Sequence, residues 1–166
     1  LGTLFAYQSF GVVPDVMSTA KGIAGGVPCG LMMAKENVAK AFAPGDHAST
    51  FGGNPLATAA GNVVVDELLG GLLDNVKEQG AYLREQLEKV AEKHKDLVKD
   101  VRGMGLMQGI ELNKPAGPVV AKAIDLGLLL VGAGQFIIRF VPSLIVSKAD
   151  IDTAMEILDK ALESAE

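Results

Sequence analysis

A chain of 166 residues with one cysteine, two histidines and no long apolar run closes off several kinds of chemistry before any motif is considered. Cys29 has no second cysteine to pair with, so an internal disulfide is excluded and a reducing, cytoplasmic setting is expected. His47 and His94 lie far apart, and neither has a cysteine or second histidine at ligand spacing, so no metal site is expected. Lys and Arg number 15 against 20 Asp and Glu, and the two signs are interspersed. The net charge of −5 therefore makes no basic patch, and neither nucleic acid nor an anionic membrane is an expected partner. Apolar stretches such as 127–133 and 136–141 are too short to cross a bilayer, and no signal-peptide pattern precedes them. The chain opens on Leu1 rather than methionine, as a fragment or a processed chain would.

What is present is apolar content and glycine. Hydrophobic residues make up 49% of the chain, enough to bury one core or two small ones. The 20 glycines cluster where a backbone would approach a ligand closely.

Patterning gives an alternation of strands and helices. A helical look over Leu1–Phe10 stops at Gly11, Val16–Met17 reads as a short buried strand, and Gly30–Ala34 reads as a second one leading into a helix at Lys35–Phe42. Ala43–Pro55 is too rich in Gly, Pro and short polar residues for a regular element. Pro55 then opens a helix through Leu69 that is apolar nearly all round, which predicts burial between layers or against a second subunit. After Gly70–Gly71 an amphipathic helix runs over Leu72–His94, with Leu83, Leu87, Val90 and Ala91 on one stripe. Strands are expected at Leu97–Arg102, Leu106–Leu112, Leu128–Val131 and Phe136–Val141, with a helix from Pro115 to Gly127. Ser147 and Asp150 form a capping-box pattern ahead of a last helix whose stripe is Ile151, Ala154, Leu158, Ala161 and Leu162. The expected organisation is a portion of an α/β domain over 1–74 and a small α+β domain over 75–166, with helices on one sheet face.

Three places could carry chemistry. In Pro14–Gly30, PDVMSTAKGIAGGVPCG, Lys21 stands where strand gives way to a Gly-rich turn. An amine there is reachable, and lysine becomes a useful nucleophile when its pKa is lowered or when it is held as an imine with an aldehyde cofactor. A plain surface lysine in a flexible loop fits the same residues. Ser49 and Thr50, in HASTFGGN, offer hydroxyls and nearby backbone N–H groups to phosphate oxygens, or form an ordinary turn. Arg139, in FIIRFVPSLIV, is a charge inside an apolar strand and calls for a carboxylate or phosphate partner. That partner is either a ligand or a structural Asp or Glu. His47 reads as loop structure, His94 as the solvated end of a helix, Cys29 as a small buried residue and Asp15 as a turn former.

The run PDVMSTAKGIAGGVPCGLMMA resembles the lysine segment of class III (subgroup II) pyridoxal-phosphate aminotransferases, and GDHASTFGGNPLATAA resembles their downstream phosphate-contact loop. The likeness covers essentially the whole chain and is nearest to the acetylornithine branch of that family. It implies the C-terminal part of the large domain of a fold type I transferase, like that of aspartate aminotransferase, followed by a small α+β domain. It also implies that the longer N-terminal half of such enzymes, including the aspartate that pairs with the pyridine nitrogen, lies outside this chain. By the resemblance, Lys21 binds pyridoxal 5'-phosphate as an imine and moves the substrate proton. Thr50 would contact the cofactor phosphate of the neighbouring subunit, Ser49 would lie at the amino-acid substrate, and Arg139 would clamp the α-carboxylate of glutamate or 2-oxoglutarate. The site would then be shared across a homodimer. Ser143 stands where many members have a second proline. The implied reaction moves an amino group from N-acetylornithine, or a relative such as ornithine, succinylornithine, succinyl-diaminopimelate or 4-aminobutyrate, to 2-oxoglutarate. A non-catalytic C-terminal piece that folds and dimerises is the alternative.

Overall fold

A computed structural model describes residues 1–164. The chain divides into two compact units, one formed by Leu1–Gly2 with the chain from Leu72 onward, the other by Thr3–Gly71.

The unit Thr3–Gly71 contains one turn of helix α1 (Ala6–Ser9), strand β1 (Val16–Thr19), a 3-10 turn (Lys21–Ala24), strand β2 (Leu31–Ala34), one turn of helix α2 (Glu36–Ala39) and helix α3 (Pro55–Glu67). The two strands form an antiparallel pair, with Val16 opposite Ala34 and Thr19 opposite Leu31. The helices expected over 1–10 and 35–42 are thus single turns, and neither turn, Ala6–Ser9 or Glu36–Ala39, has a buried residue to anchor a longer helix. Pro55 starts α3 as the sequence predicts, and Asn54 adds a cap, its Oδ1 accepting from the Ala57 N–H at 2.9 Å. The predicted burial of α3 is not supplied within this chain. Ala57 is its one fully buried residue, while Leu56 and Val63 are exposed.

A π turn (Leu68–Leu72) with Gly71 at φ 130° joins α3 to the 21-residue helix α4 (Leu73–Lys93). Only glycine takes that backbone conformation cheaply. The helical run Pro55–Lys93 contains an 18-residue window of mean hydropathy 1.4, long and apolar enough by length and composition to cross a membrane. The expectation of no such segment is corrected on that count. It arose because the apolar residues are spread along a helix, with no uninterrupted apolar run.

The second unit continues with β3 (Val98–Met104), β4 (Met107–Leu112), α5 (Gly117–Asp125), β5 (Val131–Ala133), β6 (Ile137–Phe140) and α6 (Lys148–Glu163). The strands form an antiparallel sheet in the order β3-β4-β6-β5. Period-two alternation fixes its faces. Val101, Ile110 and Ile138 are cross-strand partners that point into the core, joined there by Val76, Leu83 and Leu87 of α4 and by Ile151, Leu158 and Leu162 of α6. Each such side chain contributes about 1.5–3 kcal/mol by leaving water. The expected capping box is present: the Ser147 Oγ accepts from the Asp150 N–H at 3.3 Å, and the Ser147 N–H donates to the Asp150 carboxylate at 2.9 Å. The Ser147 hydroxyl, donating to that carboxylate at 2.6 Å, and then the Ser147 N–H hold the Asp150 carboxyl below its ordinary range.

Candidate active site

Lys21 begins the 3-10 turn immediately after β1, and its backbone stands at φ 57°. Among the described residues it is the one non-glycine in the left-handed region. Such a conformation costs about 1–2 kcal/mol for a residue with a Cβ, and it survives where the surroundings over-determine it. Those surroundings are visible. Ala20 before it is extended, Gly25 at φ 61° closes the turn, and Ala24 is buried at 1% exposure. Gly61 of α3 brings that helix close behind the turn, since a Cβ there would sit 3.5 Å from the Ile23 carbonyl oxygen. The hairpin and α3 therefore aim a strained lysine outward. Its side chain is exposed and has no hydrogen bond or ion pair with any described residue.

The loop between α2 and α3 is ordered by its own short polar residues. The Ala43 N–H donates to the Asp46 carboxylate at 2.7 Å, the Gly52 N–H to the Ser49 carbonyl at 3.2 Å, and the Asn54 side-chain amide to the Phe51 carbonyl at 2.8 Å. A Cβ on Gly52 would come within 3.1 Å of the Ser49 Cβ, so this turn is tight enough to favour glycine. A cavity of about 350 Å³ opens here, walled by Cys29, Gly30, Ser49, Phe51, Gly52 and Thr58 among others. Ser49 is thus brought into its wall by the loop, whereas neither Thr50 nor Lys21 lines it.

Arg139 lies on β6, on the sheet face opposite the core, and is exposed. Directly across β4 is Gly109, and across β3 is Arg102, giving one row of Arg102, Gly109 and Arg139. The two arginines differ in company. Arg102 reaches Asp100 at 2.6 Å and Glu111 at 2.7 Å, and these carboxylates, Asp100 first, hold its guanidinium charged. Arg139 has no described carboxylate within ion-pairing distance, so the structural salt bridge weighed from sequence is not formed. Arg139 also borders a cavity of about 310 Å³ whose wall includes Leu83, Val131, Ile151 and Met155. An unpaired, exposed guanidinium can bind a carboxylate in bidentate fashion.

Two sequence readings need correction or addition. His94 is not a solvated helix end; it is buried at 2% exposure, with its Nε2 2.7 Å from the Asp159 carboxylate of α6. Lys93 adds a second contact to Asp159 at 2.5 Å, and chiefly through it the Asp159 carboxyl is held below the ordinary range. The acidic partners of Arg102 were missed altogether, although the alternation in Val98–Met104 and Met107–Leu112 places all three on one face. Cys29 is half-buried, and Asp15 forms an exposed ion pair with Lys35 at 2.9 Å.

The family model of class-III aminotransferases matches residues 1–162. The acetylornithine aminotransferase of Caldanaerobacter subterraneus subsp. tengcongensis is 51% identical over 163 residues, covering 97% of this chain and 41% of that protein. Among solved structures, the N-acetylornithine aminotransferase of Stenotrophomonas maltophilia K279a superposes with a TM-score of 0.86 at 34% identity, over 99% of this chain and 43% of that one. An S-selective transaminase from Arthrobacter sp., crystallised with alanine bound, gives a TM-score of 0.92 at 29% identity over 99% and 41%. The chain therefore spans about two fifths of the length of the curated relatives it matches.

Proposed function

The chain belongs to the class-III aminotransferase family, and on that premise we propose that it is the lysine-bearing portion of a pyridoxal-phosphate transaminase acting in arginine biosynthesis. The amino group moves from N-acetylornithine, or a related ω-amino substrate, to 2-oxoglutarate. The observation that carries this reading is Lys21 itself: an unpartnered amine held outward at φ 57° at the end of a strand. A solvated loop lysine has no reason to bear that backbone cost.

The residues fit the cofactor's chemistry. A free amine suits its aldehyde, and the hydroxyls of Ser49 and Thr50 beside Gly52 and Gly53 suit its phosphate. When bound, pyridoxal phosphate supplies the electron sink for the α-type carbanion. Lys21 Nζ would move the proton from the substrate carbon to the cofactor's C4′ carbon, the shift that amino-group transfer requires. Arg139 holds the substrate carboxylate, and Ser49 lies beside the amino acid. Thr50 serves the phosphate of a second copy, in a homodimer with shared sites.

A second reading, that this portion alone folds without turning over, is favoured by one observation. Within Thr3–Gly71 the fully buried hydrophobic side chains among the described residues are Ala24 and Ala57, so the lysine hairpin has little core of its own. The test therefore uses the full-length enzyme. Borohydride reduction of cofactor-loaded protein followed by peptide mass spectrometry should leave the cofactor mass on Lys21. Lys21→Ala should keep the fold and abolish turnover. Attachment at another lysine, or unchanged turnover in that variant, overturns the assignment.

A further inference from the structure

The open face of the four-stranded sheet poses a question of competition. Glu111 on β4 sits opposite Asp100 of β3 on one side and Ile137 of β6 on the other. Two residues along each neighbouring strand stands an arginine, Arg102 on β3 and Arg139 on β6, and both are opposite Gly109. Glu111 is therefore a diagonal neighbour of both arginines, with the same offset to each. Diagonal positions in an antiparallel sheet are about 7–8 Å apart, within reach of long side chains. Glycine at 109 puts no side chain between the three charged groups.

Glu111 is engaged by Arg102 at 2.7 Å, and the same guanidinium takes Asp100 at 2.6 Å. Two carboxylates directly opposite one another repel, and Arg102 bridges them. We propose that Asp100 and Arg102 act together as a holding device that keeps Glu111 off Arg139, leaving the Arg139 guanidinium open to a carboxylate-bearing substrate. Arg102 is on this account a positioning residue. The inference rests on the reading that Arg139 binds that carboxylate. Without Arg102, Glu111 is repelled by Asp100, and Arg139 is the remaining cation at matching offset. The side chain then becomes an internal competitor for the substrate.

The test measures glutarate binding by calorimetry, and KM and kcat for 2-oxoglutarate, in the full-length cofactor-loaded enzyme. In Arg102→Ala, the glutarate Kd and the KM should rise about fivefold, the scale of a half-exposed ion pair, while kcat at saturation stays within about twofold. In Arg102→Ala with Glu111→Gln, both constants should return to within about twofold of the parent, because the competitor has lost its charge. A merely structural role for Arg102 would leave the double variant as impaired as the single one, and that result overturns the proposal. So does an unchanged Kd in Arg102→Ala. Arg139→Ala separates the premise: if it leaves glutarate affinity intact, the carboxylate role of Arg139 itself has failed, whatever Arg102 does.

Discussion

Gly80 sits in the interior of α4, and by helix propensity alone Gly80→Ala should stabilise the protein by about 1 kcal/mol. The packing opposes this. A Cβ on Gly80 would lie 2.5 Å from the Gly105 carbonyl carbon, 2.6 Å from its Cα and 2.7 Å from its oxygen, so the obstacle is backbone. Ordinary contact requires a shift of roughly 1 Å between α4 and the turn joining β3 to β4, and overpacking of that kind costs about 1–3 kcal/mol. The turn cannot simply retreat. Gly105 stands at φ 54°, and its far side faces Leu1, whose Cα would be 2.8 Å from a Cβ placed on Gly105. The cost therefore lies near the upper end of that range, and the net effect is a destabilisation of about 2 kcal/mol, or a Tm lowered by about 10 °C. The adjacent reverse swap is the control. Ala81 is exposed on the same helix, and Ala81→Gly should lose about 1 kcal/mol from propensity alone. Urea unfolding followed by circular dichroism reads both. Neighbouring and opposite substitutions should each destabilise, and a Gly80→Ala variant as stable as its parent would refute the packing argument.

Arg139→Ala in the full-length enzyme should weaken binding of 2-oxoglutarate and glutamate by about 2 kcal/mol, some thirtyfold, with less effect on an amino donor lacking that carboxylate; inhibition constants of dicarboxylates measure it. Asp159 links α6 to Lys93 and His94 at the end of α4, and its carboxyl is held low mainly by Lys93. A depressed folded-state value stabilises above the unfolded carboxylate pKa of about 3.9, and that contribution is lost as pH falls through the folded value. Unfolding free energy measured from pH 6 downward should thus drop less steeply in Asp159→Asn than in the parent; an unchanged acid slope removes Asp159 from the acid response.

Elements whose signal is local and periodic were legible in the sequence: α3 from Pro55, the amphipathic stripe of α4, and α6 with its Ser147–Asp150 box. β5 was displaced by tertiary closure. The expected strand at Leu128–Val131 begins instead at Val131, because the Leu128 N–H donates back to the Ala123 carbonyl at 2.8 Å through Gly127 at φ 94°, which ends α5 and carries Leu130 inward. His94 shows the same limit more sharply. Nothing near residue 94 announces a carboxylate 65 positions later, and only the packing of α6 on α4 delivers it. Within the candidate site, the residue types at Lys21, Ser49, Thr50 and Arg139 were readable, whereas the backbone strain at Lys21 and the company kept by Arg102 were not. Strain is a property of φ, and ion-pair choice depends on strand register; neither has a one-residue signature.

The distribution of burial decides how these positions will respond to perturbation. From Leu72 onward a continuous core joins α4, the sheet and α6, so a defect at Gly80 is felt as loss of global stability there. Around Lys21 the balance is different. Val13, Met32, Phe51, Leu56 and Val63 are all more than half exposed, and a two-stranded pair with so little covered surface is marginal by itself. Order at the lysine turn must then come from whatever covers those side chains, each worth about 1.5–3 kcal/mol once buried. Substitutions in the hairpin should accordingly register first in cofactor attachment and assembly, with the cooperative unfolding of the Leu72 unit unmoved, while substitutions at Gly80 should do the reverse.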